Sequence, residues 1–442
     1  MARLLCVDFG STFTKAALVD AAEGELLATR EVPTTIGTDV LDGYRAIRES
    51  LAAEALPEPD DVLACSSAGG GLRLAVVGYE REVTAQAGYR VGLSAGAKVV
   101  HVASGRLSGP DVHDLRAARP DIVLLVGGTD GGNADVLLHN AERLAHMRVA
   151  APSVVAGNAD AADQVAAVLA STGRRFEVTD NVLPQIGVIA PKGARAAIRA
   201  AFLHHVIGGK HLSRGTEFVD MVRAATPDAV LAGVQVLADS VEGDVLVVDV
   251  GGATSDVYSA LQPQGEDAGL AKDVVAPLWQ SRTVEADLGM RWSAEGVLEA
   301  AQREALPVSD GLPGYAARVA RETAHLPADA AERALDLELA RLAAVVAVRR
   351  HARPASPGAS PRPLADVVHV IGSGGVLRHA EDDEQHAVLR AVTGDHAGGW
   401  RVPREARVAT DTAYLLFAVG LLAEEHPDAA RSLAERVVGA ES

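Results

Sequence analysis

The segment LLCVDFGSTFTKAALVDAAEGELLATREV, Leu4 to Val32, alternates short apolar runs with polar breaks. Leu4 to Val7 reads as a strand, Asp8 to Thr14 as a turn rich in glycine and hydroxyls, and Lys15 to Val19 as a second strand. The polar DAAEGE is a turn, and Leu26 to Val32 suits a third strand. The same plan returns later. DVLVVDVGG is a strand running into glycines, TSDVYSAL a second strand, QPQGEDAGLAKD a loop, and SRTVEADLG holds a third strand. Helical periodicity follows each meander, over Leu41 to Ala55 and Ala294 to Ala305. A strand–strand–strand–helix plan used twice predicts two similar lobes facing each other.

Between them, DVLACSSAGGGLRLAVVG, PDIVLLVGGTDGGNADVLLHNAERL and PSVVAGNADAADQVAAVLAS each read as apolar strand, small-residue turn, then helix. That alternation predicts further α/β structure. TPDAVLAGVQVLADS is a helix with Thr226 placed to cap it and Pro227 at its first turn. The Pro-rich RPASPGASPRPL, Arg353 to Leu364, is a loop leading into the strand of ADVVHVIGSGGVLRHA, and DTAYLLFAVGLLAEE, Asp411 to Glu425, is the last clear helix. The expected division is a first lobe over 1–120, an α/β middle region over 121–240 inserted in or elaborating it, a second lobe over 241–425, and a tail over 426–442.

A chain of 442 residues is too long for one core, which agrees with this division. Hydrophobic residues make up 48% and aromatic ones 3%, so the core must be aliphatic. The formal net charge of −18 argues against nonspecific binding to nucleic acid or anionic membranes. Cys6 and Cys65 each sit in an apolar run and read as reduced core thiols; no CxxC pair offers a zinc or iron–sulfur site. With no signal-type segment and no run of 18 apolar residues, the expectation is a cytoplasmic protein that does not span a membrane.

The two glycine turns carry the chemistry. Glycine lets backbone approach a ligand closely, and successive amides in such a turn attract anions. A carboxylate at the strand end repels phosphate, and makes sense there when Mg²⁺, which prefers oxygen ligands and keeps several waters, lies between them. In DFGSTFTK, Asp8 ends the strand, Gly10 permits the turn, Ser11, Thr12 and Thr14 supply hydroxyls, and Lys15 adds a cation. DVGGATSD repeats the arrangement with Asp249, Gly251, Gly252 and Thr254. Two such turns at the same place in the same plan read as a magnesium–nucleotide-phosphate site. The P-loop pattern is absent, since HHVIGGKHLS has His204 where its first glycine belongs and His211 after the lysine. The dinucleotide fingerprint is absent too, because GSGGVL puts Leu377 at its last glycine.

These residues resemble the actin-like ATPase superfamily of sugar kinases, heat-shock ATPases and actin. DFGSTFTK and DVGGATSD are similar to its two phosphate motifs, VIGSGG (Val370 to Gly375) to its adenosine motif, and DTAYLLFAVGLL to the helix that crosses back between lobes. Within the superfamily, SSAGGGLRL, LLVGGTDGGN, TDNVLPQIG and RTVEADLGMRW resemble the MutL-type proteins associated with glutamate mutase, unrelated to the mismatch-repair protein of similar name.

The resemblance implies an α/β fold of two actin-like, ribonuclease-H-like lobes around a nucleotide cleft, with ATP and Mg²⁺ as ligands. Asp8 and Asp249 would hold Mg²⁺ through water or orient the attacking water. Gly10, Ser11, Thr12, Lys15, Gly251, Gly252 and Thr254 would hold the phosphates, and Gly372, Ser373, Gly374 and Gly375 would line the adenosine. Hydrolysis would rely on positioning and charge neutralisation. ATP binding would draw the lobes together, in a chaperone-like factor that reactivates an adenosylcobalamin-dependent mutase by letting damaged cobalamin leave. A small-molecule kinase of the same superfamily is the alternative and an actin-like polymer former a further one. A redox activator of dehydratases lacks its cluster thiolates here. A homo-oligomer is left open.

Other features have plainer readings. LLVGGTDGG, Leu124 to Gly132, resembles a third phosphate turn but has Leu125 where Asp249 stands; it is a structural turn, or binds another ligand or a partner through Thr129 and Asp130. SSAGGG, Ser66 to Gly71, lacks a strand-end carboxylate and reads as a structural turn. Asp287 either reaches the nucleotide site from the third strand or caps a helix. His204 and His205 point different ways on a helix and do not share a metal. Glu381 to Glu384 reads as a solvated acidic face.

Overall fold

A computed structural model describes residues 2–68, 72–80, 83–95, 97–147, 150–207, 212–214, 216–261, 280–354, 361–395 and 397–439. Four strands open the chain: β1 (Arg3–Phe9), β2 (Phe13–Asp20), β3 (Glu25–Pro33) and β4 (Asp61–Ser66). Five parallel strands follow: β5 (Arg73–Gly78), β6 (Lys98–Ser104), β7 (Ile122–Leu125), β8 (Ser153–Val155) and β9 (Phe176–Val178). β10 (Val222–Ala225) then returns to pair with β4. The last five are β11 (Val245–Val250), β12 (Ser255–Ala260), β13 (Gln280–Glu285), β14 (His369–Ser373) and β15 (Arg407–Thr410).

The first sheet runs β3-β2-β1-β4-β10 and the last β13-β12-β11-β14-β15. In both, the opening hairpin is antiparallel and the later strands join in parallel. The expected duplication is therefore present, strand for strand. Parallel pairing needs crossovers, and the helices Val40–Ala53 and Ala330–Ala352 lie on the crossovers that reach β4 and β14. Asp39 starts the first of these, its carboxylate accepting from the Leu41 amide at 2.9 Å.

The middle sheet has the order β6-β5-β7-β8-β9. It starts at Arg73, inside the span expected for the first lobe, and the first sheet is completed only by β10. The middle region is thus an insertion between β4 and β10 and does not begin near residue 121. One apolar cluster carries Leu5, Val7 and Phe9 of the first sheet together with Leu74, Val76 and Leu124 of the middle sheet. Burying each such side chain contributes about 1.5–3 kcal/mol, so insertion and first sheet share a core.

The chain divides into two compact units, one built on Met1–Val230, the other on Leu231–Gln262 and Arg282–Val419. The helix Thr226–Ser240 passes from the first into the second. Gly420–Ala429 groups with the first unit again. The helix expected from Asp411 starts instead at Leu416, running Leu416–Leu422. Tyr414 has φ +54°, which no right-handed helix accepts, and the Asp411 carboxylate takes the amides of Leu415 and Leu416. The expected C-terminal tail contains a helix, Pro427–Val438. Among the described residues no helix is long and apolar enough to cross a membrane.

Candidate functional site

In the first turn, the Gly10 amide donates to the Phe13 carbonyl at 3.1 Å. A β-carbon on Gly10 would lie 2.5 Å from that same oxygen, so the turn closes only on glycine. The residues after β3 brace it: Thr34 donates its amide to the Thr12 carbonyl at 2.8 Å and its hydroxyl to the Gly10 carbonyl at 2.8 Å. Ser11 and Thr12 are left exposed at the tip. The Thr14 hydroxyl is buried against Thr34 Oγ1 at 3.1 Å, so of the three hydroxyl residues it has the structural part.

Asp8 is 1% exposed. Its cross-strand partner is Lys15, which places both side chains on one face. Asp8 Oδ1 accepts from Thr226 Oγ1 at 2.5 Å and from Cys65 Sγ at 3.6 Å. Burial, and then the charge of Asp8, push the Cys65 thiol well above its ordinary range, while burial pushes Cys6 up to about 12. Both cysteines are reduced and buried, as the sequence suggests. Thr226 does not cap its own helix with its hydroxyl; that hydroxyl goes to Asp8.

The second turn is built in the same way. The Gly251 amide donates to the Thr254 carbonyl at 3.0 Å, and a β-carbon there would lie 2.8 Å from that oxygen. The segment after β13 braces it, with the amides of Arg291 and Trp292 on the Gly252 carbonyl at 2.8 and 3.1 Å. Gly252 is exposed and Thr254 half-buried, its hydroxyl donating to Asp256 Oδ2 at 3.0 Å.

Asp249 faces Asp256 across the strands, where Asp8 faces Lys15. Two opposed carboxylates destabilise a sheet unless neutralised. Arg282 of β13 does this, with Nε and Nη2 on Asp256 Oδ1 at 2.9 and 2.6 Å. Burial alone would lower the Arg282 pKa; Asp256, Tyr258 and Asp249 outweigh it and raise it. The cation of the second turn thus comes from the third strand rather than the second. Alternation along SRTVEADLG marks Arg282 as a strand residue, and nothing in the motif marks it as the counter-ion.

The glycines of VIGSGG meet Asp249 within the second unit. β11 and β14 pair Asp249 with Ser373, and a β-carbon on Gly374 would lie 2.9 Å from Asp249 Oδ1. Gly374 has φ +95°, which favours glycine. Gly372 is buried, with Leu377 and Leu389 packed where its side chain would be. Ser373 is buried and Gly375 exposed.

Asp287, just after β13, is held by an ion pair. Arg350 clamps it with two hydrogen bonds, 2.7 and 2.9 Å, and these hold the carboxyl below its usual range. Leu125 is fully buried, and Asp130 Oδ1 of the Gly127–Gly132 loop accepts from the Ala159 amide at 3.0 Å and from Asn181 Nδ2 at 2.8 Å, as a structural turn requires. Ser66 is buried with its hydroxyl on the Phe9 carbonyl at 3.3 Å; Gly69, Gly70 and Gly71 lie outside the described residues, as do the loop over 262–273 and part of the Pro-rich loop. His204 is exposed. The acidic run at 381–384 is a helix start: Glu381 and Glu384 form a reciprocal cap, and Glu384 takes Arg333 at 2.6 Å.

Mg²⁺ bound with a nucleotide needs one or two carboxylates, its other ligands being waters and phosphates. Asp8 and Asp249 each lie at a strand end beside a turn with no room for a side chain, so each turn by itself offers one carboxylate of the kind such an ion takes. Among the described residues no three His, Cys, Asp or Glu gather into a dedicated metal cage.

A family model described as "MutL protein" matches residues 4–438. Protein MutL of Clostridium tetanomorphum is 35% identical over 451 residues, 96% of this chain and 97% of that protein. Among solved structures, an ATP-dependent caprolactamase from Pseudomonas jessenii matches over 95% of this chain and 70% of its own, at 16% identity and a TM-score of 0.40. Component A of the (R)-2-hydroxyglutaryl-CoA dehydratase of Acidaminococcus fermentans matches over 97% and 100%, at 11% identity and a TM-score of 0.34.

Proposed function

The chain belongs to the MutL protein family, and from that premise we propose that it is an ATP-binding, ATP-hydrolysing reactivating factor for an adenosylcobalamin-dependent mutase such as glutamate mutase. The observation that carries the nucleotide half is the repeated turn. Twice, a strand-end aspartate precedes a glycine whose amide closes on the carbonyl three residues later, and twice the segment after the third strand braces it. A lone glycine hairpin is common; the same hairpin built twice at the same sheet position supports a shared ligand chemistry. The partner half rests on the family.

In this reading Asp8 and Asp249 hold hydrated Mg²⁺, whose charge offsets that of the phosphates. The backbone of Gly10, Ser11 and Thr12 and that of Gly251 and Gly252 receive phosphate oxygens, with Lys15 and Thr254 beside them. Gly372, Ser373, Gly374 and Gly375 form the adenosine side. Rate enhancement comes from fixed position and charge, with no covalent intermediate. The test is reactivation of a mutase carrying inactivated cobalamin. ATP turnover should rise when the mutase is added, and mutase activity should return only with ATP. Recovery without ATP would sink the proposal.

A further inference from the structure

A row of side chains crosses the first sheet at Asp8. It runs from Lys15 on β2 through Asp8 on β1 and Cys65 on β4 to Ala224 on β10. Residues aligned in this way share one face. β10 ends at Ala225, and the helix Thr226–Ser240 starts at once. Its first residue is 8% exposed and turns its hydroxyl onto Asp8 Oδ1. An ionised carboxylate only accepts, so Thr226 is the donor.

The two oxygens of Asp8 therefore face different surroundings. Oδ1 meets Thr226 and Cys65. Oδ2 lies toward the turn, 3.8 Å from the place a β-carbon would take on Gly10. Valine has almost the shape of threonine and loses nothing on burial, so a buried threonine here is explained by its hydroxyl. That hydroxyl belongs to the helix that continues into the second unit.

We propose that Thr226 is a positioning residue for Asp8: it ties Oδ1 and so aims Oδ2 at the Gly10 turn. This rests on the nucleotide reading above and deepens it. The carboxylate's orientation and the start of the helix are then one mechanical element. A change at the turn that rotates Asp8 pulls on residue 226, and a shift of the helix rotates Asp8.

The experiment compares the full-length wild type with Thr226→Val and Thr226→Ser. Steady-state ATP turnover is measured alongside equilibrium binding of a fluorescent ATP analogue with and without Mg²⁺. Thr226→Val should lower kcat about tenfold or more with KM within twofold, and lose most of the tightening that Mg²⁺ gives to analogue binding. Thr226→Ser, which keeps the hydroxyl, should stay within about threefold of wild type in both. Should Thr226→Val fail to fold, Thr226→Ala removes the same hydroxyl without the second methyl group and is read in the same way. Wild-type kcat and Mg²⁺ response in a folded variant lacking the hydroxyl would overturn the proposal while leaving the nucleotide reading intact. So would equal losses in the Ser and Val variants, which belong to packing. A wild type that binds no analogue would overturn both.

Discussion

A β-carbon on Gly10 would sit 2.5 Å from the Phe13 carbonyl oxygen, and one on Gly251 2.8 Å from that of Thr254. Neither oxygen can retreat without opening the hairpin, because each already accepts the glycine's own amide. Gly251→Ala should therefore spoil the turn more than the fold. We expect at least a tenfold loss of ATP turnover and a fall in melting temperature of only a few degrees, since the strain of about 1–3 kcal/mol falls on an exposed tip. Wild-type turnover in this variant would show that the turn touches nothing in the reaction. Asp8, Asp249 and these glycines were legible in the sequence because each lies beside its own strand end. Thr226, Arg282 and Arg350 were not. Each meets its carboxylate from a distant part of the chain, and a charge or hydroxyl in a strand or helix does not announce its partner.

The helix Ala330–Ala352 packs on β11 and β12 of the last sheet and carries His351 into the core. The ring lies between hydroxyls, Nδ1 2.9 Å from Thr283 Oγ1 and Nε2 2.9 Å from Ser259 Oγ. Burial, and then the charge of Arg362, hold its pKa well below the ordinary histidine range. The unfolded chain takes up this proton near pH ~6.5, and the folded chain only at lower pH. The unfolded state thus binds more protons below pH ~6.5. Stability is fully present above that pH and is lost as pH falls, by up to about 1.4 kcal/mol per unit from this group. Denaturant unfolding between pH 7 and 5 should show this slope, and His351→Gln should flatten it; an unchanged slope in the variant would assign the acid sensitivity elsewhere. At this scale the strands of both meanders were legible from alternation. The start of the helix Leu416–Leu422 was not, because a positive φ at Tyr414 has no signature in residue type. Nor was the onset of the inserted sheet, since β4 and β5 are both continuous apolar runs and only pairing separates them.

The whole chain carries a formal charge of −18, so attraction for a polyanion such as ATP must be local. Lys15 is the cation the first unit sets beside its turn, whereas the buried Arg282 beside the second turn is already paired with Asp256. Duplication at the level of the molecule was legible because one pattern occurs twice; the length of the insertion was not, because the strand that follows it, β10, has four residues and lies far along the chain from β4, with which it pairs. In the proposed function the aspartates beside these turns serve ATP hydrolysis. The most direct measurement is the initial rate of ATP hydrolysis, at saturating ATP and Mg²⁺, by the wild type and by Asp249→Ala. The wild type should turn over ATP, and the variant should lose at least about 100-fold with its melting transition retained. A folded Asp249→Ala chain that hydrolyses ATP at the wild-type rate would contradict that role.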